Sequence, residues 1–220
     1  VFGFLPGSDP VLDREIILVG AHYDHVGNDS DRRYSGANDN ASGVAAMLEM
    51  ARLWQASGYQ PARSVLFVAW GGQELGEAGS RYYVENPLYP LDDVVAMLQM
   101  DAVAGGDAYD LDAQGTREHE GLLRFSIENA KDLLDGRLQL SFPEERGEGP
   151  FSPDVLFDRD RIGIRSDHDP FRDLGVSALR IAWREADETN LDDFEADEVL
   201  PERLLAAGKM TLLTIMMNTR

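Results

Sequence analysis

Apolar and polar positions fall into blocks along the chain that read alternately as strands and helices. The runs "VFGFLP" and "REIILVGAHYD" are apolar and β-prone, and the turn "GSDP" parts them. A polar, glycine-bearing loop, "GNDSDRRYSGANDN", leads into "ASGVAAMLEMARLWQAS". There Val44, Met47, Leu48, Ala51, Leu53 and Trp54 recur at helical spacing. "SVLFVAW" is apolar throughout and bounded by turns, which predicts a strand buried on both faces. A short helix, "EAGSRYYVENP", stops at Pro87; the strand "VVAMLQMDAV" and the helix "REHEGLLRFSIENAKDLL" follow. Residues 141–166 are irregular and rich in proline, glycine and charge. "VSALRIAW" predicts a late strand and "LPERLLAAGKMTLLTIMMNTR" a closing amphipathic helix.

Strands alternating with helices predict the α/β class, with a mostly parallel, mixed central sheet covered by helices on both faces. No internal repeat and no linker divides the chain, so residues 1–220 read as a single domain. The chain opens at Val1, inside an apolar run, with no initiator Met and no signal peptide. It therefore reads as an excised or processed domain whose upstream segment is missing.

Charge narrows the partners. Lys and Arg number 20 against 40 Asp and Glu, a formal net charge of -20. Nucleic acid and anionic membrane both need basic patches and are argued against. A cationic substrate, such as a peptide with a free amino terminus, would suit the balance, although a heavily solvated surface accounts for most of it. The absence of cysteine excludes disulfides, a thiolate nucleophile and a cysteine-bound zinc. No run approaches the roughly 20 apolar residues that a membrane span requires.

The polar clusters fall at the carboxyl ends of the predicted strands, where sheets of this class gather their sites. In "AHYDH", strand alternation turns His22 and Asp24 to one side, Tyr23 and His25 to the other. Asp24 is placed to hold the second ring nitrogen of a metal-binding His22 or to orient its neighbours, while a strand-end histidine taken alone is as well explained as structural. Asp39, in "SGANDNASG", precedes a helix; its carboxylate could bridge two ions, or it or Asn40 could cap the helix. Glu74 follows the third strand and Asp101 the fourth. Histidine mixed with carboxylates suits zinc in an open catalytic site.

These stretches carry a resemblance. "VGAHYDHVG", "SGANDNASGVAAMLEMAR", "GGQELGEAGS", "MDAV" and "SDHDPF" resemble, in order, the motifs of the co-catalytic zinc exopeptidases. That family includes secreted bacterial leucyl aminopeptidases, glutamate carboxypeptidases and glutaminyl cyclases. The resemblance implies a peptidase domain acting on the amino terminus of a peptide, an extracellular or periplasmic location, and one or two zinc ions. It assigns His22 and Asp101 to one ion, Asp39 to a bridge, Glu74 to the other ion, and Asp24 to support of His22. Two ions about 3.5–4 Å apart would activate water and polarise the scissile carbonyl. It also implies a cis peptide bond after Asp39.

Two positions depart from the pattern. The family writes the doublet at 73–74 as Glu-Glu, the first residue being the general base; here Gln73 stands there. The family's last ligand is a histidine after the final sheet strand, where this chain reads "WREADETNLDDFEADEV" without one. Asn190, Asp192, Asp193 or His168 could replace it, or nothing does, and an oxygen ligand would favour Mg, Mn or Ca at that second site. Asp167 is expected to orient groups beside the pocket. Three readings follow: an altered aminopeptidase-type hydrolase, a non-catalytic metal-binding or recognition module, and a single-zinc acyltransferase of the glutaminyl cyclase type. The missing histidine argues against the third.

Overall fold

A computed structural model describes residues 1–28, 30–105, 110–114, 121–134, 139–141, 166–183 and 196–220. Its strands are β1 (Phe2–Leu5), β2 (Ile16–His22), β3 (Ser64–Trp70), β4 (Val94–Met100), β5 (Asp110–Gln114), β6 (Gln139–Ser141) and β7 (Ala178–Trp183). The helices are α1 (Gly43–Ser57), α2 (Ala78–Glu85), α3 (Gly121–Leu134), α4 (Asp169–Asp173) and α5 (Pro201–Asn218). The seven strands form one sheet in the order β1-β3-β2-β4-β7-β5-β6. Its middle is parallel, with β2 between β3 and β4, and β4 beside β7. β1 runs antiparallel to β3, and β5 antiparallel to β7, so the sheet is mixed at both flanks.

Alternation along β2 divides the core between two faces. Ile17, Val19 and Ala21 pack with residues of α1, α3 and α5, whereas Ile16 and Leu18 pack with Tyr83 and Phe171 on the other side. Every residue of β2 is buried, and β3 is nearly so, as a parallel strand covered on both faces must be. On α1 the buried residues are Gly43, Ala46, Met47, Met50 and Trp54. Leu48 and Leu53, which share the helical period, face solvent at 62% and 42% exposure. β5 and β6, and the short helix α4, carry no clear signal in the sequence. Among the described residues no helix is long and apolar enough to cross a membrane.

Parallel pairing brings the carboxyl ends of β2, β3, β4 and β7 to one edge of the sheet. His22 ends β2 and Asp101 follows β4 directly; the main-chain N–H of Asp101 continues the ladder by donating to Ile181 O at 3.0 Å.

Candidate metal centre

His22 is fully buried and aims its Nε2 at two carboxylates: Asp39 Oδ1 at 3.0 Å and Asp101 Oδ1 at 3.4 Å. Its other ring nitrogen, Nδ1, lies 3.1 Å from the main-chain oxygen of Asp24. The Asp24 carboxylate stands 3.9 Å from that nitrogen and does different work. Its two oxygens accept the main-chain N–H groups of Gln73 at 3.1 Å and Glu74 at 3.2 Å. Asp24 thus ties the loop after β3 to the end of β2, fixing where the 73–74 doublet sits.

Asp39 reaches the cluster from a sharply folded loop, and the Asp39–Asn40 peptide bond is cis. Asn40 pins that loop: its Nδ2 donates to Met100 O at 2.9 Å, and its Oδ1 accepts from Gly43 N at 3.0 Å and Ala102 N at 3.3 Å. The capping role open to Asp39 or Asn40 therefore falls to Asn40, and the Asp39 carboxylate is left for His22. Glycine is required at 43, because a Cβ there would stand 2.5 Å from Asn40 Oδ1 and 2.6 Å from Met100 O.

Asp101 is braced on one side only. Its Oδ2 accepts from Ser166 Oγ at 2.7 Å and Arg180 Nε at 2.9 Å, leaving Oδ1 toward His22. Arg180 projects from β7, the strand next to β4. Burial works against the Asp101 charge, but the Arg180 guanidinium, then His22 and the Ser166 hydroxyl, outweigh it and hold the carboxyl well below the usual range. Burial likewise disfavours a charged His22, yet Asp101 and Asp39 together raise its pKa to about 11. The metal-free imidazole thus carries a proton on the nitrogen that faces both carboxylates, and a metal ion must displace it.

His22, Asp39 and Glu74 each offer a ligand atom, all within 4.8 Å of one another. Asp39 Oδ1 is buried, and apart from the His22 imidazole 3.0 Å away no donor meets it in hydrogen-bond geometry. A buried carboxylate oxygen whose one neighbouring donor is an imidazole, among further carboxylates, fits a divalent cation bound through nitrogen and oxygen. Asp101 joins through its contact with His22.

The remaining candidates lie elsewhere or in unexpected places. His168 is buried, with Nε2 3.8 Å from Asp169 Oδ1 and no hydrogen bond at either ring nitrogen. Burial, opposed by Asp169 and aided by Arg172 and Arg180, lowers its pKa to about 4. The turn into α4 that buries this ring keeps it out of the group formed by His22, Asp39 and Glu74. Asp167 accepts from Ser80 Oγ at 2.6 Å and Gln99 Nε2 at 3.2 Å. Burial pushes its carboxyl up to about 7, with Ser80 and His22 opposing and the Asp101 and Asp24 charges adding. Asn190, Asp192 and Asp193 lie outside the described residues, as does His119.

His25 corrects the alternation argument. Strand geometry ends at His22, and beyond it the chain turns so that His25 Nδ1 comes 3.3 Å from Glu74 Oε1 while Tyr23 is exposed. Arg180 and Ser166 escaped the sequence reading as well. The arginine had a signal, a cation inside the otherwise apolar "VSALRIAW", which demands a buried partner.

The profile of peptidase family M28 matches residues 1–199. Leupeptin-inactivating enzyme 1 of Streptomyces exfoliatus is 42% identical over 81 residues, covering 37% of this chain and 17% of that protein. Aminopeptidase YwaD of Bacillus subtilis (strain 168) is 27% identical over 213 residues, covering 91% of this chain and 40% of that one. The chain thus spans less than half the length of these curated relatives. Among solved structures, BSAP, a zinc aminopeptidase from Bacillus subtilis, superposes with a TM-score of 0.71 at 25% identity, over 97% of this chain and 48% of that one.

Proposed function

The chain belongs to peptidase family M28, and from that premise we propose that it is a zinc-dependent peptidase domain of the aminopeptidase type, removing the first residue of a peptide with a free amino terminus. The observation that carries this reading is the convergence of His22 Nε2 on Asp39 Oδ1 at 3.0 Å and Asp101 Oδ1 at 3.4 Å, beside Glu74. Relatives described as aminopeptidases support it.

In this reading His22, Asp39, Asp101 and Glu74 hold one or two zinc ions. Bound zinc supplies a Lewis acid for the scissile carbonyl and lowers the pKa of water to about 7. The protein orients and shields. Ser166 and Arg180 turn one oxygen of Asp101 toward His22 and hold the other away. Asp24 fixes the main chain of Gln73 and Glu74 relative to His22. The acidic surroundings favour the ammonium group of the incoming peptide.

Gln73 limits the chemistry. Its amide can position a water molecule but has no basic site to take a proton, and a general base is worth about 10²–10⁴ in rate. That observation favours a second reading, a catalytically impaired or non-catalytic member that binds metal or recognises peptides. The test is amine release from amino-acid anilides by the purified chain, before and after chelation and with zinc restored. Slow turnover that chelation abolishes and zinc restores is expected. Absence of turnover, with or without bound zinc, would select the second reading, and turnover that survives chelation would sink the zinc-dependent one.

A further inference from the structure

The outer side of the cluster holds a side chain with no role in the reading above. His25 is nine-tenths buried, with 10% of its side chain exposed, and neither ring nitrogen has a hydrogen-bond partner. Its Nδ1 nevertheless lies 3.3 Å from Glu74 Oε1. We propose that His25, through Nδ1, joins Glu74 in holding a divalent cation at this side of the cluster, a ligand role that rests on the metal-dependent reading.

The spacing supports ligation. Atoms bound to one tetrahedral zinc at about 2.0–2.1 Å lie roughly 3.3–3.4 Å from each other. The pair His22 Nε2 and Asp101 Oδ1 is 3.4 Å apart, and the pair His25 Nδ1 and Glu74 Oε1 is 3.3 Å apart. The second pair matches that spacing without making a hydrogen bond, so a proton shared between the two groups does not account for it. Burying both nitrogens of an imidazole unpartnered is costly, and a cation at Nδ1 removes part of that cost. The loop also holds the ring in place. Gly36 has φ 65°, and a Cβ there would come within 3.2 Å of the Cβ, Cγ and Cδ2 atoms of His25, so a larger residue would push the ring from Glu74.

The histidine inventory points the same way. The chain has four histidines. His22 faces Asp39 and Asp101, His168 is buried beside Asp169, and His119 lies outside the described residues. Residues 184–195, where the family pattern would place its last histidine, contain none. Among the described residues, His25 is the imidazole that meets Glu74.

The test needs no turnover. Cobalt(II) is loaded in place of zinc and the hyperfine-shifted, exchangeable ring N–H protons are counted by NMR, one for each ligating histidine. Two are expected in the unaltered chain, from His22 and His25. In His25→Gln one signal should vanish and zinc affinity, read by competition with a chromophoric chelator, should fall at least about tenfold. A single signal in the unaltered cobalt-loaded chain overturns the proposal even if the variant fails to fold. Two signals in His25→Gln, with zinc affinity unchanged, overturn it as well. A chain that takes up neither cobalt nor zinc would instead remove the metal-dependent reading on which the proposal stands.

Discussion

The inner and outer sides of the cluster are built differently. The inner side, His22 with Asp101, sits on strand ends, and its side chains are 1% and 4% exposed. Asp101 Oδ2 is braced by a hydroxyl and a guanidinium from two other segments. The outer side, Glu74 with Gln73 and His25, sits on loops, and the Glu74 side chain is 23% exposed. The Asp24 carboxylate ties the loop after β3 to the end of β2, accepting from the main-chain N–H groups of Gln73 at 3.1 Å and Glu74 at 3.2 Å. Gln73, where the resemblance expects a glutamate, lies on this loop side beside Glu74. Strand ends are held by ladders and neighbouring side chains on every face, so a change there disturbs the sheet. Loops absorb substitution at smaller cost, and that is where Gln73 stands.

The largest effect should come from restoring a carboxylate on the loop side. Gln73→Glu is nearly isosteric and should raise anilide hydrolysis by about 10²-fold or more, measured at constant zinc content. An unchanged rate would place the defect elsewhere on the outer side and strengthen the non-catalytic reading. Next, Asp39→Asn removes the carboxylate that lies nearest His22. Zinc affinity, read by chelator competition, should fall by about 10²-fold, and a fall below tenfold would make Asp39 a bystander.

Ser166→Ala probes the bracing of the inner side alone. Loss of the hydroxyl on Asp101 Oδ2 should weaken zinc by about tenfold without altering Gln73 or Glu74. An effect as large as that of Asp39→Asn would mean the two sides are not separable.

The last effect is one of pH, and per pH unit it is no larger than that of Ser166→Ala. His22 in the metal-free chain has its pKa raised to about 11, so between pH 6 and 8 it holds the proton that zinc must displace. Zinc affinity should therefore rise by about tenfold per pH unit in this window, one proton being released for each ion bound at His22. The same shift bears on folding of the metal-free chain. Because the folded pKa lies above the unfolded value of about 6.5, the stabilisation from the Asp39 and Asp101 contacts is complete below pH 6.5 and is lost as pH rises toward 11. Thermal melts of the metal-free chain against His22→Gln should converge at the alkaline end; a constant gap would show that His22 acts through packing alone.

Periodicity made the elements legible. An unbroken apolar run marked β3, one interrupted only by Gln99 marked β4, helical spacing marked α1 and α5, and punctuating acids and histidine marked the edge where His22, Asp39, Glu74 and Asp101 gather. The limits were local. A period of 3.6 tells which residues of α1 share a stripe but leaves the stripe's centre to what packs against it, so Leu48 and Leu53 turned outward while Gly43 and Met50 turned in. A period of 2 orients side chains only while the ladder lasts, so it placed His22 and misplaced His25, three residues past the last strand position.

The order and chemistry of the candidate ligands were therefore written in the sequence, because strand ends and metal-binding groups are local properties. Which oxygen of Asp101 faces His22, and that Arg180 from a neighbouring strand holds the other, arose only when β4 and β7 paired, far apart as they are in the chain. The same holds for His25. Its neighbour is Glu74, brought near by the pairing of β2 with β3 and by the Asp24 carboxylate, and no spacing along the chain records a contact made across two strands.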